Sequence, residues 1–348
     1  MSKALSPIAG QGGTAVHHHP PRQLSRAPCT PPQLGHITLK SAHVMHASPT
    51  PTSPMSLLPF TLILLSTVTH AWWNFLAKQA GHKDIFLGLS KFAEVVLFAL
   101  PFAWIVARNG FAAPGYEGRI WMYILVAALL IFAYYIFLAQ AYKRADLSVA
   151  YPIARSSGLF LPFLAYVFLG ETIDAVGATA VTLIALSVLL IPLPSFHRAD
   201  IRRILGQLRQ PGVLFALLTA LVVAGYTLWD KTAVAHINPF VYYYSYTAVS
   251  CLFFLVLLSR FPRPQIRAEW QTHRRAIIVV ALLDVLTYVM VLYALNLSKA
   301  TYAGTLRQLS LVVAVFLGWR FLKEPLPPPK LVGIALMISG AVLILLAH

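Results

Sequence analysis

Ten times between Met55 and the C-terminus the chain runs through about 20 mostly apolar residues, the length that carries a helix across a bilayer. These stretches cover roughly 57–77, 85–106, 121–141, 149–169, 174–193, 212–233, 239–258, 276–296, 301–321 and 330–347. The runs are unbroken, whereas a barrel strand would alternate every second residue, so the expected fold is an all-α membrane protein with ten transmembrane helices. Composition agrees: 58% of residues are hydrophobic and 11% charged, against about a quarter charged in soluble domains. The formal charge of +16 does not point to nucleic acid. The basic residues sit in short turns between apolar segments, where they face anionic headgroups and set topology.

The chain contains one pattern twice. Asp146 to Arg155 runs on through Phe168-Leu169-Gly170-Glu171, and Lys299 to Gln308 runs on through Phe321-Leu322-Lys323-Glu324. Glu171 and Glu324 are 153 residues apart, and the same offset pairs Lys78 with Lys231, Ala141 with Ala294, Ala150 with Ala303 and Ser157 with Ser310. A constant offset across several helices marks an internal duplication. The expected repeats are 55–193 and 212–347. Each holds five helices, an odd number, so the second enters the membrane from the opposite face. Such inverted repeats recur in secondary transporters, with the substrate site near the midplane between the halves.

Residues 1–54 read differently. They hold nine of the 24 prolines and six of the 12 histidines, without apolar periodicity, and are expected to be a disordered tail. No signal-peptide pattern is present in them, and Met55, which opens directly into the first helix, is the expected native start. His17-His18-His19 reads as incidental rather than as a metal site. Cys29 and Cys251 form no CxxC and no disulfide framework. No cofactor or metal is expected.

The residues Ala71-Trp72-Trp73-Asn74 with Lys78, Ala150-Tyr151-Pro152-Ile153-Ala154-Arg155, Phe168-Leu169-Gly170-Glu171 and Phe321-Leu322-Lys323-Glu324-Pro325 resemble the EamA-type families of the drug/metabolite transporter superfamily. The resemblance spans about 57–347. It implies ten helices around a central cavity and export or exchange of small metabolites across the cell membrane. It also implies cytoplasmic termini. The turns after helices 1, 3, 5, 7 and 9 carry most of the Lys and Arg, which places those turns in the cytoplasm and both termini outside. The two expectations disagree, and orientation stays open.

Ionisable groups inside apolar helices are expensive and normally face a cavity. Lys91, Glu94, Arg155, Asp284 and Arg307 are such groups. Arg155 and Arg307 lie about 9 Å in from their helix starts, and Glu94 and Asp284 roughly 12–14 Å in. By depth, Glu94 is within reach of Arg155 and Asp284 at the limit of reach of Arg307. The guanidinium fork suits carboxylate or phosphate, so the two arginines are expected to clamp an anion, with Gln308, Trp73, Asn74 and Tyr151 lining the site. The competing reading has each arginine snorkel to its interface or neutralise a carboxylate. Glu94 and Asp284 are candidate proton carriers or fixed counter-ions. Lys91 pairs with Glu94 one turn away. His70 is a titratable candidate or a packing histidine. Tyr242-Tyr243-Tyr244 reads as an interfacial belt, and Glu171 and Glu324 as structural residues of the turns. Pro152 and Pro162 suit a hinged helix.

The expected function is secondary active transport of a small polar or anionic metabolite by alternating access. No Walker motif is present, so proton coupling or exchange is the default source of energy. A lipid-carrier flippase is the alternative. An intramembrane enzyme is a distant third, since no GxSG or HExxH occurs and Ser156-Ser157-Gly158 is its only candidate.

Overall fold

The structure, a computed structural model, describes residues 55–347 apart from 79 and 146. The tail, including His17–His19 and Cys29, lies outside the described residues. Every regular element described is helical, and the apolar stretches fold as ten crossings. The first repeat comprises α1 (Leu57–Lys78), α2 (Lys83–Asn109), α3 (Ile120–Arg144), the pair α4 (Leu147–Ala154) and α5 (Ser157–Leu169), and α6 (Ala175–Leu190). The short α7 (Arg198–Gln207) joins the repeats. The second repeat comprises α8 (Pro211–Val234), α9 (Pro239–Leu258), α10 (Arg263–Leu297), the pair α11 (Ala300–Leu306) and α12 (Ser310–Leu322), and α13 (Pro328–Ile344).

Three features depart from the expected spans. The Arg-rich segment 259–275, read as a connection, is mostly helix. It forms the first turns of the 35-residue α10, which at 1.5 Å per residue is about 52 Å long and outreaches the hydrocarbon. The fourth and ninth crossings are each broken, at Arg155–Ser156 and at the 3₁₀ turn Arg307–Leu309. The segment 194–211, also read as a connection, contains α7.

The paired Phe-Leu-Gly-Glu and Phe-Leu-Lys-Glu motifs are helix stops. Gly170 ends α5 in the left-handed conformation (φ 66°), and Lys323 ends α12 in the same region (φ 57°). In both, the glutamate amide reaches back six residues: Glu171 N–H donates to Ala165 O, and Glu324 N–H to Gly318 O, each at 3.2 Å. This closure around a left-handed residue is one residue wider than the Schellman motif and likewise satisfies carbonyls the helix end would otherwise orphan. Lys323 holds it without glycine's freedom.

The Glu171 side chain then crosses to the other repeat. It accepts Ala300 N–H at 2.7 Å, Thr301 N–H at 3.0 Å and the Thr301 hydroxyl at 3.0 Å, capping the start of α11. The cap is buried, and bonds to a charged acceptor are the stronger kind. Glu171→Ala is therefore expected to destabilise the protein by about 2–4 kcal/mol, with Glu171→Gln in between, measured by thermal unfolding of the purified protein in detergent. Unchanged stability in Glu171→Ala would refute this role. Lys231 does the converse at a helix end, donating to Leu295 O (2.6 Å) and Ser298 O (2.8 Å) where α10 finishes.

The packing obeys an exchange of repeats. α1 lies on α10 as α8 lies on α3, α2 on α10 as α9 on α3, and the fourth crossing on α8 as the ninth on α1. α2 with α9 and α6 with α13 are their own counterparts, and the fourth crossing meets the ninth through α5 and α11. Close approach between α6 and α13 depends on Gly340, where a Cβ would stand 2.7 Å from the Ala180 carbonyl oxygen.

Candidate functional site

The two helix breaks meet inside the bundle. The Gln308 amide donates to Ser157 Oγ at 3.4 Å, linking the break of the ninth crossing to the start of α5. Ser156 closes the other break by donating to Ile153 O at 2.7 Å. The ninth crossing contains no proline, so Pro152 and Pro162 are not the common cause of the two breaks.

Each break carries an arginine. The Arg155 guanidinium lies over the Tyr151 ring at 5.6 Å, and that of Arg307 over Tyr288 at 5.2 Å and Tyr226 at 5.9 Å. Tyr226 is within electrostatic reach of both arginines, and His70 likewise feels both. Among the described residues neither arginine has a carboxylate at ion-pair distance. Arg155, Arg307, His70, Tyr134, Tyr135 and Tyr288 are all deeply enclosed by protein. All six are nevertheless only half-buried, still touched by a water-sized sphere. Side chains that are deep in the bundle and still partly accessible mark a loosely packed region rather than a sealed core.

Around the breaks and His70, some buried hydrogen-bonding groups are left unspent. Trp73 Nε1, Gln308 Oε1 and Thr305 Oγ1 are buried without partners, a state native interiors rarely leave unexplained. Trp73 stands edge-on to His70, with ring centroids 5.2 Å apart. Asn74 has turned its amide to its own helix, donating to His70 O at 2.7 Å.

The acidic residues are placed elsewhere than their depths implied. Glu94 does not pair with Arg155, nor Asp284 with Arg307. Lys91 takes both carboxylates, reaching Asp284 Oδ2 at 2.5 Å and Glu94 Oε1 at 3.1 Å. Depth along separate helices fixes only one coordinate, and the rotation of α2 decides the partner. Lys91 and Glu94 share one face at i,i+3, turned toward α9 and α10. The tyrosines of α9 are a second correction. Tyr242 and Tyr243 are 0% and 3% exposed, not an interfacial belt, because their hydroxyls serve buried carboxylates. Tyr243 donates to Glu94 Oε2 at 2.7 Å. Tyr244 is half-buried and donates to Val95 O at 3.1 Å.

Comparison with known proteins bears on this ten-crossing bundle. The profile of the EamA-like transporter family matches residues 57–193 and again 210–346. The chain belongs to that family. It is therefore a multi-pass membrane transporter of the drug/metabolite transporter superfamily. Among solved structures, one described only as the crystal structure of a protein is similar over 83% of this chain and 95% of its own. The TM-score is 0.62 at 16% identity, a likeness of fold alone. No curated protein matches.

Within this EamA-like bundle, sequence reasoning missed Asp230. It is 2% exposed and accepts the Tyr242 hydroxyl at 2.8 Å and the Tyr288 hydroxyl at 2.6 Å. It lies beside Lys231 near the end of the sixth apolar run, and the offset of 153 pairs it with Ala77, so the duplication carried no signal for it. Tyr226 and Tyr288 were missed too, although the offset of 153 pairs them with Trp73 and Tyr135, and that pairing was the available signal. At the end of the bundle where α8 meets α9, the Tyr116 ring stacks on His236 at 3.7 Å. Burial, then the nearby Arg119, hold His236 below its usual value. The neutral ring is thus favoured in the fold, and this contribution is lost as pH falls below the ordinary histidine range.

Proposed function

We propose that the protein is a secondary active transporter that exports or exchanges a small anionic metabolite across the cell membrane by alternating access. The observation that carries this is the pair of enclosed arginines at the two helix breaks, lacking carboxylate partners among the described residues and sharing Tyr226. An enclosed guanidinium held among tyrosine rings without a carboxylate at ion-pair distance is a ready site for a carboxylate or phosphate. Trp73 and Gln308 offer a donor and an acceptor for the substrate's other polar groups, and Tyr151 flanks Arg155. Lys91, Glu94 and Asp284 act in this reading as a lock between α2, α9 and α10. Asn74 serves helix α1 rather than substrate.

The repeats are related by exchange yet differ in environment. The ninth crossing is 67% buried and its counterpart, the fourth, 39%. Two equivalent elements in unequal surroundings are what an alternating device needs, each state being the other with the roles of the repeats exchanged.

One observation favours the flippase alternative. An apolar groove of about 260 Å³ runs between α5 and α6, from Leu189 to Gly158, next to the break. An acyl chain fits such a groove, and its anionic headgroup would then reach the arginines.

The test is thermal unfolding of purified wild type and Arg155→Ala with inorganic phosphate, succinate and sulfate, beside zwitterionic and cationic metabolites. A ligand at 100 times its Kd stabilises by about 2.7 kcal/mol. Stabilisation of wild type by an anion, absent in Arg155→Ala, is expected. Stabilisation by cations alone, equal in both proteins, contradicts the reading.

A further inference from the structure

We infer that Asp230 is the proton-binding partner of the anion site, so that an anion and a proton are bound together. This rests on the anion reading of Arg307. Asp230 is the carboxylate that acts on Arg307, yet it does so from behind a tyrosine. The guanidinium lies over the Tyr288 ring, and the hydroxyl of that ring donates to Asp230 Oδ2. Arg307 therefore has a counter-charge close by while its donors stay unclaimed by a carboxylate.

An arriving anion changes the local charge. With Arg155 and Arg307 set against Asp230 the site holds one net positive charge, so a dianion such as succinate or sulfate leaves one net negative charge in an enclosed region, where like charges repel strongly. Taking up one proton on Asp230 restores neutrality. The local structure accommodates either state. Tyrosine hydroxyls both donate and accept, so Tyr242 and Tyr288 can donate to the carboxylate or rotate to accept from the acid.

One rival is present, since His70 of α1 feels both arginines, and the Asp230→Asn variant below separates the two. Tyr242 and Tyr246 of α9, Tyr288 of α10 and Arg307 are the ionisable groups that act on Asp230 from packed elements. Lys231, next in sequence, is turned away to the end of α10. From the break after α4, Arg155 reaches Tyr226 rather than Asp230. Tyr123 of α3 lies beside Tyr242. On α11, the Tyr302 hydroxyl is beside Gly177 of α6. The arrangement is not duplicated: at the counterpart positions Ala77, Leu89 and Tyr135, the carboxylate and one hydroxyl are absent.

The test uses the purified full chain with succinate and sulfate as probes, both fully ionised at pH 7. Proton uptake on adding probe is followed with a pH-sensitive dye in weak buffer, and Kd is measured across pH by titration. One proton taken up per anion bound is expected in wild type, with Kd rising about tenfold per pH unit over the coupled range. Asp230→Asn, whose amide still meets both tyrosines, should bind the probes without proton uptake and with a flat pH profile. If wild type binds a probe and takes up no proton, the inference is overturned while the anion reading stands. Pronounced uptake in Asp230→Asn also overturns it. If neither probe binds wild type, both fall. Should Asp230→Asn not fold, the proton count of His70→Gln decides: uptake unchanged there supports the inference, and uptake lost there overturns it.

Discussion

Lys91→Met is expected to lower stability by about 3–5 kcal/mol, the range for removing one partner from a buried ion pair. The side chain is the common cation of two carboxylates. Glu94 is 1% exposed, and Asp284 reaches the ammonium at 2.5 Å. Methionine keeps the volume and leaves two negative charges facing each other. The loss should come from those orphaned charges rather than from the missing lysine. The triple variant Lys91→Met/Glu94→Gln/Asp284→Asn should therefore recover most of it, since an uncharged cluster of similar shape carries no such penalty. Thermal unfolding of the three proteins in detergent checks both halves. A triple variant as unstable as the single one would show that packing, not charge, sets the effect. The cluster ties α2 to α9 through Tyr243 and to α10 through Asp284, so the same variant should also alter how these helices move together.

The arginines are expected to matter for ligand rather than for folding. Each lies on an aromatic ring and has no carboxylate at ion-pair distance among the described residues, so replacing Arg155 orphans no buried anion, whereas replacing Arg307 also removes the charge that acts on the buried Asp230. Removing a charged donor from an enclosed anion site costs about 3 kcal/mol of binding, which is roughly 100-fold in affinity. Arg307→Ala and Arg155→Ala should lose that much. Arg307→Lys should recover only part, because an ammonium keeps the charge and gives up the planar fork.

The duplication was legible because a constant offset survives in small and charged residues that packing fixes, such as Ala150 with Ala303 and Lys78 with Lys231. Ten crossings were legible because hydrocarbon thickness dictates the length of an apolar run. The true start of α10 was not. Arg263, Arg267, Arg274 and Arg275 suppress hydropathy, yet Arg, Gln, Glu and Ala are good helix formers, so the helix continues beyond the hydrocarbon. The break at Arg307–Leu309 was hidden because its sequence holds no proline or glycine to announce it. Arg155 and Arg307 could be named from their depth in apolar runs. Their surroundings could not: which carboxylate meets which cation depends on helix rotation, a quantity that depth does not contain. Tyr243 illustrates the same limit. At a helix start beside two other tyrosines it reads as an interfacial anchor, and only the fold reveals Glu94 at the end of its hydroxyl.

The measurement that tests the account most directly is counterflow in proteoliposomes. Vesicles carrying wild type, Arg155→Ala or Arg307→Ala are loaded with unlabelled phosphate, succinate or sulfate, and entry of the same labelled anion is followed. The account predicts transient accumulation of at least one anion with wild type and near-background entry with either variant, at equal protein content. Accumulation of cations or neutral metabolites instead, undiminished in both variants, would contradict it.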